Sequence, residues 1–562
     1  MDQHAVLTGI GISGGIGIGQ VVVLPEFEFD TSKQKAGPEE TSRFLAAVAA
    51  LSDAIGQKQE TAGAEQAEIL ESHMMLLSDP SISAEVERTI ETEDCNSEYA
   101  VDQVFETYAA LFLASGDDIF AARAADLRDI KNNLLLTLGG EALFDVERLP
   151  PGTVLVAQEV TTTVAAGINP DNVCALVTRE GGATSHTAII ARSLGLPGVA
   201  GISQIEAGSQ VIVDGNRGEV ILNPTSEVLD TYRGLQEEQK ARKQMLEAYR
   251  GLESVTTDGK SVALFANIGL VTDIAHAVAA DAEGVGLFRT EFLYMNRSTA
   301  PSEEEQFAAY KKAAEAFAGK PVIIRTLDVG GDKEIPYLGI EKEENPFLGW
   351  RAIRYCLERQ GLFRTQLRAI LRASAFGHVK IMLPMISCAS ELKRAKALIE
   401  EIKCELSAEG AAFHQQIEIG IMIETPAAVL MVDHFAQEAD FFSIGTNDLT
   451  QYIMAVDRGN QNVAQLCSTY QPAVLQAIYQ VAQAANRHGI ECGICGEAGA
   501  DPLLTRFFIG CGIHELSMTG NAILGIREII RSGSYEEAKE NVAAGMDALY
   551  DAEQATAFLQ SI

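Results

Sequence analysis

Between Gly181 and Gly201 the chain reads GGATSHTAIIARSLGLPGVAG. Two glycines and two hydroxyl residues lead into His186. A short apolar helical pattern follows, and Gly195 and Pro197 end it. No second histidine or cysteine stands close enough to share a metal ion. A neutral imidazole is nucleophilic near pH 7, so a lone histidine opening a helix suits a group relay. Thr184 or Ser185 can cap the helix, and its first-turn amides can hold a transferred phosphate. Gly181 and Gly182 leave the approach to the histidine uncrowded. The plain alternative is a packed or surface histidine, which describes seven of the other eight histidines among the nine present.

A second set of residues stands further along, each at the end of a short apolar run: Asn267, Arg289, Arg325, Glu424, Asn447, Asp448 and Cys495. Arg289 and Arg325 supply planar forks suited to phosphate or carboxylate, and Arg458 in AVDRGN adds a third. Glu424 and Asp448 are hard oxygen ligands on neighbouring runs. Two carboxylates with open positions beside them suit Mg2+ bound with a phosphorylated substrate. Asn447 can donate to a substrate oxygen. Taken singly, each has an ordinary reading as a salt-bridged arginine or a capped acid; their convergence points to a small anion carrying both phosphate and carboxylate. Cys492 and Cys495 form a CxxC with no second such pair for a zinc site, and Cys492 reads as core.

The elements that must position these groups follow from the pattern. After residue 255 eight apolar runs alternate with helical segments: SVALFANI, GVGLFRTEF, PVIIRTLD, HVKIMLPM, EIGIMIETP, FFSIGTND, ECGICGE and HELSM. Eight such units over this length predict a (β/α)8 barrel, whose chemistry lies at the C-terminal ends of its strands. Residues 227–252 are charged, helix-favouring and free of proline, as expected of a linker helix. From about Pro38 to Leu138 apolar residues recur at three and four, with a break at Asp79-Pro80, predicting a helical insert. Strand patterns at 152–160, 173–182 and 210–224, the last a hairpin around Gly215-Asn216, predict a β-rich α/β domain whose first strand lies before residue 25. The glycines of GIGISGGIGIGQVVVL run into a strand pattern rather than opening a helix, so they are not a dinucleotide-binding loop.

The 562 residues predict two to four domains. With 78 acidic against 43 basic residues the formal charge is -35, which argues against nucleic acid as a main partner. No signal peptide opens the chain and no apolar run reaches membrane-spanning length. Nine scattered cysteines, an odd number, fit a reduced cytoplasmic setting.

The blocks GGATSHTAIIARS, GLFRTEFLYM, RTLDVGGDKEIPYLGIEKEENPFLGWRAIRYCLER, LRAILRASAFGHVKIMLPMI, FFSIGTNDLTQYIMAVDRGN and GICGE resemble the phosphoenolpyruvate-protein phosphotransferases, Enzyme I of the bacterial sugar phosphotransferase system. The resemblance covers essentially the whole chain. It implies a multidomain α/β fold: a swivelling phosphohistidine domain (1–24 and 141–225), an inserted helical carrier-binding subdomain (25–140), a linker helix (226–255) and a barrel for phosphoenolpyruvate binding and dimerisation (256–562). It implies that His186 takes the phosphoryl group on Nε2 and passes it to the small carrier protein HPr. Arg289, Arg325, Asn447, Asp448 and Arg458 would contact phosphoenolpyruvate, with Lys333 adding charge. Glu424 and Asp448 would bind Mg2+, and Cys495 would protonate the enolate carbon.

On the helical insert the resemblance implies a docking face with Glu65, His73, Met75, Leu76 and Arg123. The sequence departs from the family pattern in three places. Ala183 stands where arginine is frequent, SGGIGIG where Ser-Pro-Gly is usual, and CGEAGADP varies a Cys-Gly-Glu block; none removes a catalytic group. A pyruvate phosphate dikinase or phosphoenolpyruvate synthase would need a large ATP-binding domain ahead of the histidine, where only about 185 residues precede it, mostly helical, with no P-loop. A regulator without catalysis predicts loss of His186, Cys495 or a metal ligand, and all are present. No sensory domain precedes residue 1, which favours the sugar branch of the family.

Overall fold

The computed structural model describes the chain apart from residues 1–4, 26–28, 38, 62–63, 115–117, 141–143, 162–163, 166, 183–185, 296, 298, 331–334 and 461. The side chains of 57–58, 60–61, 64–69, 72, 113–114, 118–123, 125, 186, 189, 193, 336 and 547 also lie outside the description. The chain forms two compact units, Met1–Lys243 and Gln244–Ile562. No described helix is long and apolar enough to cross a membrane.

The first unit is built on strands β1 (Ala5–Thr8), β2 (Ile10–Ser13), β3 (Ile16–Val23), β4 (Thr153–Ala157), β5 (Val173–Thr178), β6 (Gly198–Ala200), β7 (Gln210–Asp214) and β8 (Glu219–Leu222). Their order is β1-β8-β7-β3-β4-β5-β6-β2. The centre, β3 to β6, is parallel, and the flanking pairs are antiparallel. Parallel strands are covered on both faces, so TVLVA of β4 is buried throughout and apolar after Thr153. The glycines of β3 answer to close packing: a Cβ on Gly19 would lie 2.1 Å from the Gly152 carbonyl oxygen, and one on Gly17 2.5 Å from that of Cys174. The sequence pattern predicts one strand before residue 25, whereas three are present. Gly9 and Gly15 account for the difference: Gly9 parts β1, paired with β8, from β2, paired with β6, and the chain reverses before β3 at Gly15, which adopts a left-handed φ of 116°.

Between β3 and β4 the described residues form five α-helices: α1 (Glu40–Thr61), α2 (Ala64–Leu77), α3 (Pro80–Glu93), α4 (Ser97–Ala114) and α5 (Asp118–Leu138). They share a core that includes Phe44, Leu51, Val86, Val101, Phe105, Leu127 and Leu134. The Asp79-Pro80 break is a helix start: Asp79 caps α3 by accepting from the Ser81 amide at 2.7 Å, and Pro80 takes the first helical position. The helix α6 (His186–Ser193) follows β5, and α7 (Ser226–Glu247) closes the unit. Leu229 and Tyr232 of α7 are buried with Ile16, Ile212 and Ile221, and Gln236 donates to the Ile16 carbonyl at 2.8 Å. The division between the units falls inside α7.

The second unit is a closed barrel of eight parallel strands: β9 (Ala263–Ile268), β10 (Val285–Arg289), β11 (Val322–Arg325), β12 (Val379–Leu383), β13 (Ile419–Ile423), β14 (Phe441–Ile444), β15 (Glu491–Ile494) and β16 (Glu515–Met518). These are the eight runs read from the sequence. Leu287, Ile323, Met382, Met422, Phe441 and Cys495 pack together inside it, and the intervening helices bury the outer faces in a large shared core. Because every strand runs the same way, all eight C-terminal ends share one rim.

Candidate active site

Pairing of β10 with β11 brings Arg289 level with Arg325, and pairing of β13 with β14 aligns Ile423 with Ile444, just before Glu424 and Gly445. Asn447 and Asp448 open the helix Thr446–Met454 that follows β14. Cys495 directly follows β15, and its amide donates to the Ile444 carbonyl at 3.1 Å. Asn267, on β9, donates to the backbone carbonyls of Cys495 and Ser517 and accepts from the Ser517 hydroxyl. The barrel therefore brings Asn267, Arg289, Arg325, Glu424, Asn447, Asp448, Arg458 and Cys495 to one rim. Lys333 lies outside the described residues.

The charges at the rim form a connected set. Arg325, 7% exposed, pairs with Glu291 at 2.5 Å and Asp328 at 3.1 Å. Asp448 receives Arg458 at 2.9 Å on one oxygen and Arg351 at 3.1 Å on the other. Arg351 also pairs with Asp328 at 2.9 Å and donates to the Tyr452 hydroxyl at 3.1 Å. Burial works against charge on Arg325 and Arg351, yet Glu291 and Asp328 on the first, and Asp328 and Asp448 on the second, hold both guanidiniums protonated more firmly than usual. Arg289 is half-buried and, among the described residues, its side chain makes no hydrogen bond or ion pair. The Nε atoms of Arg325 and Arg351 likewise have no partner among the described residues. Buried donors without a protein partner call for an explanation, and a bound anion at the rim is one.

Sequence reasoning assigns no role to Arg351, Asp328 or Glu291. Arg351 reaches the rim because Gly330 makes way, since a Cβ there would lie 2.5 Å from that of Arg351. Ala352 then turns the chain with a left-handed φ of 51°. The only sequence signal is the polar Arg inside the apolar stretch NPFLGWRAI. The ring of Phe347 lies under both the Arg351 and Arg458 guanidiniums, 5.9 and 5.4 Å from its centroid.

Glu424 is 1% exposed and accepts from the Met385 amide at 2.6 Å. Burial, then the nearby Asp448 and Asp328, push its carboxyl up to about 8, with Arg325 and Arg351 pulling the other way. That crowding of acids is what a bound divalent cation relieves. Gly445 leaves the carboxylate space, a Cβ there falling 2.9 Å from Glu424 Oε2. Among the described residues no three His, Cys, Asp or Glu side chains cluster to hold a metal unaided. The donor set of Glu424 and Asp448, hard oxygens on adjacent strand ends, fits an ion that keeps substrate and water ligands. Cys495 is 1% exposed, and burial foremost raises its thiol to about 12, Glu424 and Glu515 adding to the effect while the Ser443 hydroxyl and Arg325 oppose it.

His186 is the first residue of α6 in the other unit, with its side chain outside the description, as are Ala183, Thr184 and Ser185. Gly181 has a φ of 107°, which only glycine adopts easily. On α2 Met75 is 67% exposed and Leu76 half-buried, whereas His73 is 1% exposed with Nε2 3.1 Å from Asp126. The His73 ring is thus inside the helical insert rather than on its face. The side chains of Glu65 and Arg123 lie outside the description.

Three family models match: the PEP-binding domain of PEP-utilising enzymes over residues 243–535, their N-terminal domain over 8–123, and their mobile domain over 149–218. Phosphoenolpyruvate-protein phosphotransferases of Bacillus sp. (strain S) and Geobacillus stearothermophilus are each 43% identical over 99% of this chain and 98% of their own length. That of Staphylococcus carnosus is 41% identical over 95% of each chain. With one likeness running the full length of the sequence, through both units, the chain belongs to the phosphoenolpyruvate-protein phosphotransferase family.

Proposed function

We propose that the chain takes the phosphoryl group of phosphoenolpyruvate onto Nε2 of His186, releases pyruvate, and hands the group to a histidine of HPr, as the first step of a sugar phosphotransferase system. The observation that carries this reading is the rim itself: Arg289, Arg325, Arg351 and Arg458 meet Glu424 and Asp448 at one barrel mouth. Phosphoryl transfer rests on positioning and charge neutralisation. Arg289, with no internal partner among the described residues, and Arg325 receive the phosphate. Arg458 and Asn447 hold the rest of the substrate.

In the reaction the neutral His186 imidazole attacks phosphorus, the N–P bond forms and the bond to the enol oxygen breaks. The electron pair stays with the enolate, whose methylene carbon takes the proton from the Cys495 thiol. Pyruvate leaves and solvent restores the thiol proton. Glu424 and Asp448 would hold Mg2+, which neutralises phosphate charge when bound. The first-turn amides of α6 steady the new phosphate on His186. Met75 and Leu76 offer apolar surface to the carrier, with the acidic surroundings suiting a basic rim.

This reading assigns residues 1–24 and 141–225 to the phosphohistidine domain, 25–140 to carrier binding, 226–255 to the linker and 256–562 to the substrate barrel. It includes a homodimer formed through the barrel and a cytoplasmic location. Pyruvate release from phosphoenolpyruvate and a carrier tests the metal assignment. EDTA should stop it, added Mg2+ should restore it, and Glu424→Gln should lose at least about 100-fold in rate. Turnover unaffected by chelation would remove Mg2+ and its two ligands from the mechanism.

A further inference from the structure

Behind the strands that carry Arg289 and Arg325 lies a buried amide that the chemistry above does not use. Gln366, on the helix Gln360–Ala373, is 0% exposed among Phe363, Leu367, Ile370 and other apolar neighbours on the same helix. Its Oε1 accepts from the Leu327 amide at 2.8 Å, which can only donate, so the orientation of the amide is fixed. Its Nε2 donates to the Thr290 hydroxyl at 3.1 Å and the Tyr310 hydroxyl at 3.2 Å. Thr290 in turn donates to the Arg325 carbonyl at 2.7 Å. Thr290 directly follows Arg289, and Leu327 stands two residues past Arg325.

The ladder between β10 and β11 ends at the Arg289–Arg325 pair. Gln366 and Thr290 therefore continue the connection between the two strands' segments beyond the point where sheet pairing stops. The network runs on through Tyr310 to Gln306, which also accepts from Tyr294 at 3.0 Å and donates to the Pro301 carbonyl at 3.1 Å. A fully satisfied buried network rigidifies its surroundings while adding little net stability over an apolar side chain of the same shape. Its effect falls on geometry, and Arg289 has particular need of it, having no ion pair of its own among the described residues to hold it.

We propose that Gln366 is a positioning residue that, through Thr290 and Leu327, sets the spacing of Arg289 and Arg325 at the substrate phosphate. The proposal rests on the reading that these two arginines bind that phosphate. Steady-state kinetics of the full chain with phosphoenolpyruvate, Mg2+ and HPr test it. Gln366→Met, close in shape but unable to make the three hydrogen bonds, should raise KM for phosphoenolpyruvate about tenfold or more, since small misplacements of binding groups have effects of that order. Transfer from already phosphorylated chain to HPr should stay at the wild-type rate. Leu367→Ala, a core truncation on the same helix, should lower the melting temperature yet leave KM within about twofold of wild type. Thr290→Val should raise KM similarly, and the double variant no more than either alone, because both cut one connection. Should Gln366→Met not fold, Thr290→Val carries the same test. Wild-type KM in Gln366→Met or Thr290→Val, or an equal KM rise in Leu367→Ala, would overturn the proposal. A wild-type chain that takes no phosphate from phosphoenolpyruvate would instead remove the functional reading beneath it.

Discussion

Cys495 and Cys492 lie three residues apart and have different fates. Cys492 is 0% exposed in the shell between the strands and the outer helices, while Cys495 belongs to the inner layer beneath the rim. Position in the strand decides this, and it is legible in the sequence because ECGICGE alternates before it ends. What the sequence leaves out is the environment. Burial raises the Cys495 thiol to about 12, so it stays protonated across the neutral range, as its proposed role of proton donor to an enolate requires. Cys495→Ala should fold, with about 1–2 kcal/mol lost to the small cavity. Pyruvate formation should slow by about 10²-fold or more, while phosphohistidine-to-carrier transfer keeps its rate. In the wild type no thiol ionisation should appear in the rate near neutral pH. A variant with wild-type pyruvate formation would strip Cys495 of its role. Arg351 escaped sequence reasoning because its place depends on two backbone features, the room left by Gly330 and the left-handed Ala352, that no periodicity records.

At the scale of elements, eight apolar runs predict eight barrel strands because a parallel barrel strand is short, continuous and buried. The loops that shape the rim are less legible. Three non-glycine residues with left-handed backbone stand beside the site: Ala352 after Arg351, Met385 donating to Glu424, and Ala455 ending the helix that begins with Asn447 and Asp448. Each costs about 1–2 kcal/mol, and such strain gathers at functional sites. Inside the barrel Glu515 fills the space that Gly286 and Gly493 leave, each too close for a Cβ at 2.1 and 2.6 Å from its carboxylate oxygens. Burial, with Glu491 adding and Lys380 opposing, raises its carboxyl from the usual 4.5 to about 8. The unfolded chain therefore ionises this group first. Stability it contributes at low pH is lost between 4.5 and about 8, and the loss is complete above that. Glu515→Gln should unfold at higher urea concentration than wild type at alkaline pH, and the advantage should shrink as pH falls toward 4.5. Equal pH dependence in the two proteins would show that Glu515 ionises normally.

Over the whole molecule, composition and pattern predict an acidic, multidomain α/β protein, and the two units and closed barrel agree with that expectation. The three strands ahead of the helical insert, where one is expected, show how glycine breaks hide in a segment that reads as one run. On the proposed function, activity at this scale depends on groups far apart in sequence: His186 in the first unit, and Arg289 to Cys495 in the second. A rim that binds phosphoenolpyruvate achieves nothing lasting unless the histidine receives the phosphoryl group. The direct measurement is incubation of the full chain with phosphoenolpyruvate labelled in its phosphate, with Mg2+ present, followed by recovery of protein-bound label. The wild type should gain label that acid removes and His186→Ala should gain none. Label of wild-type extent in His186→Ala would contradict the account.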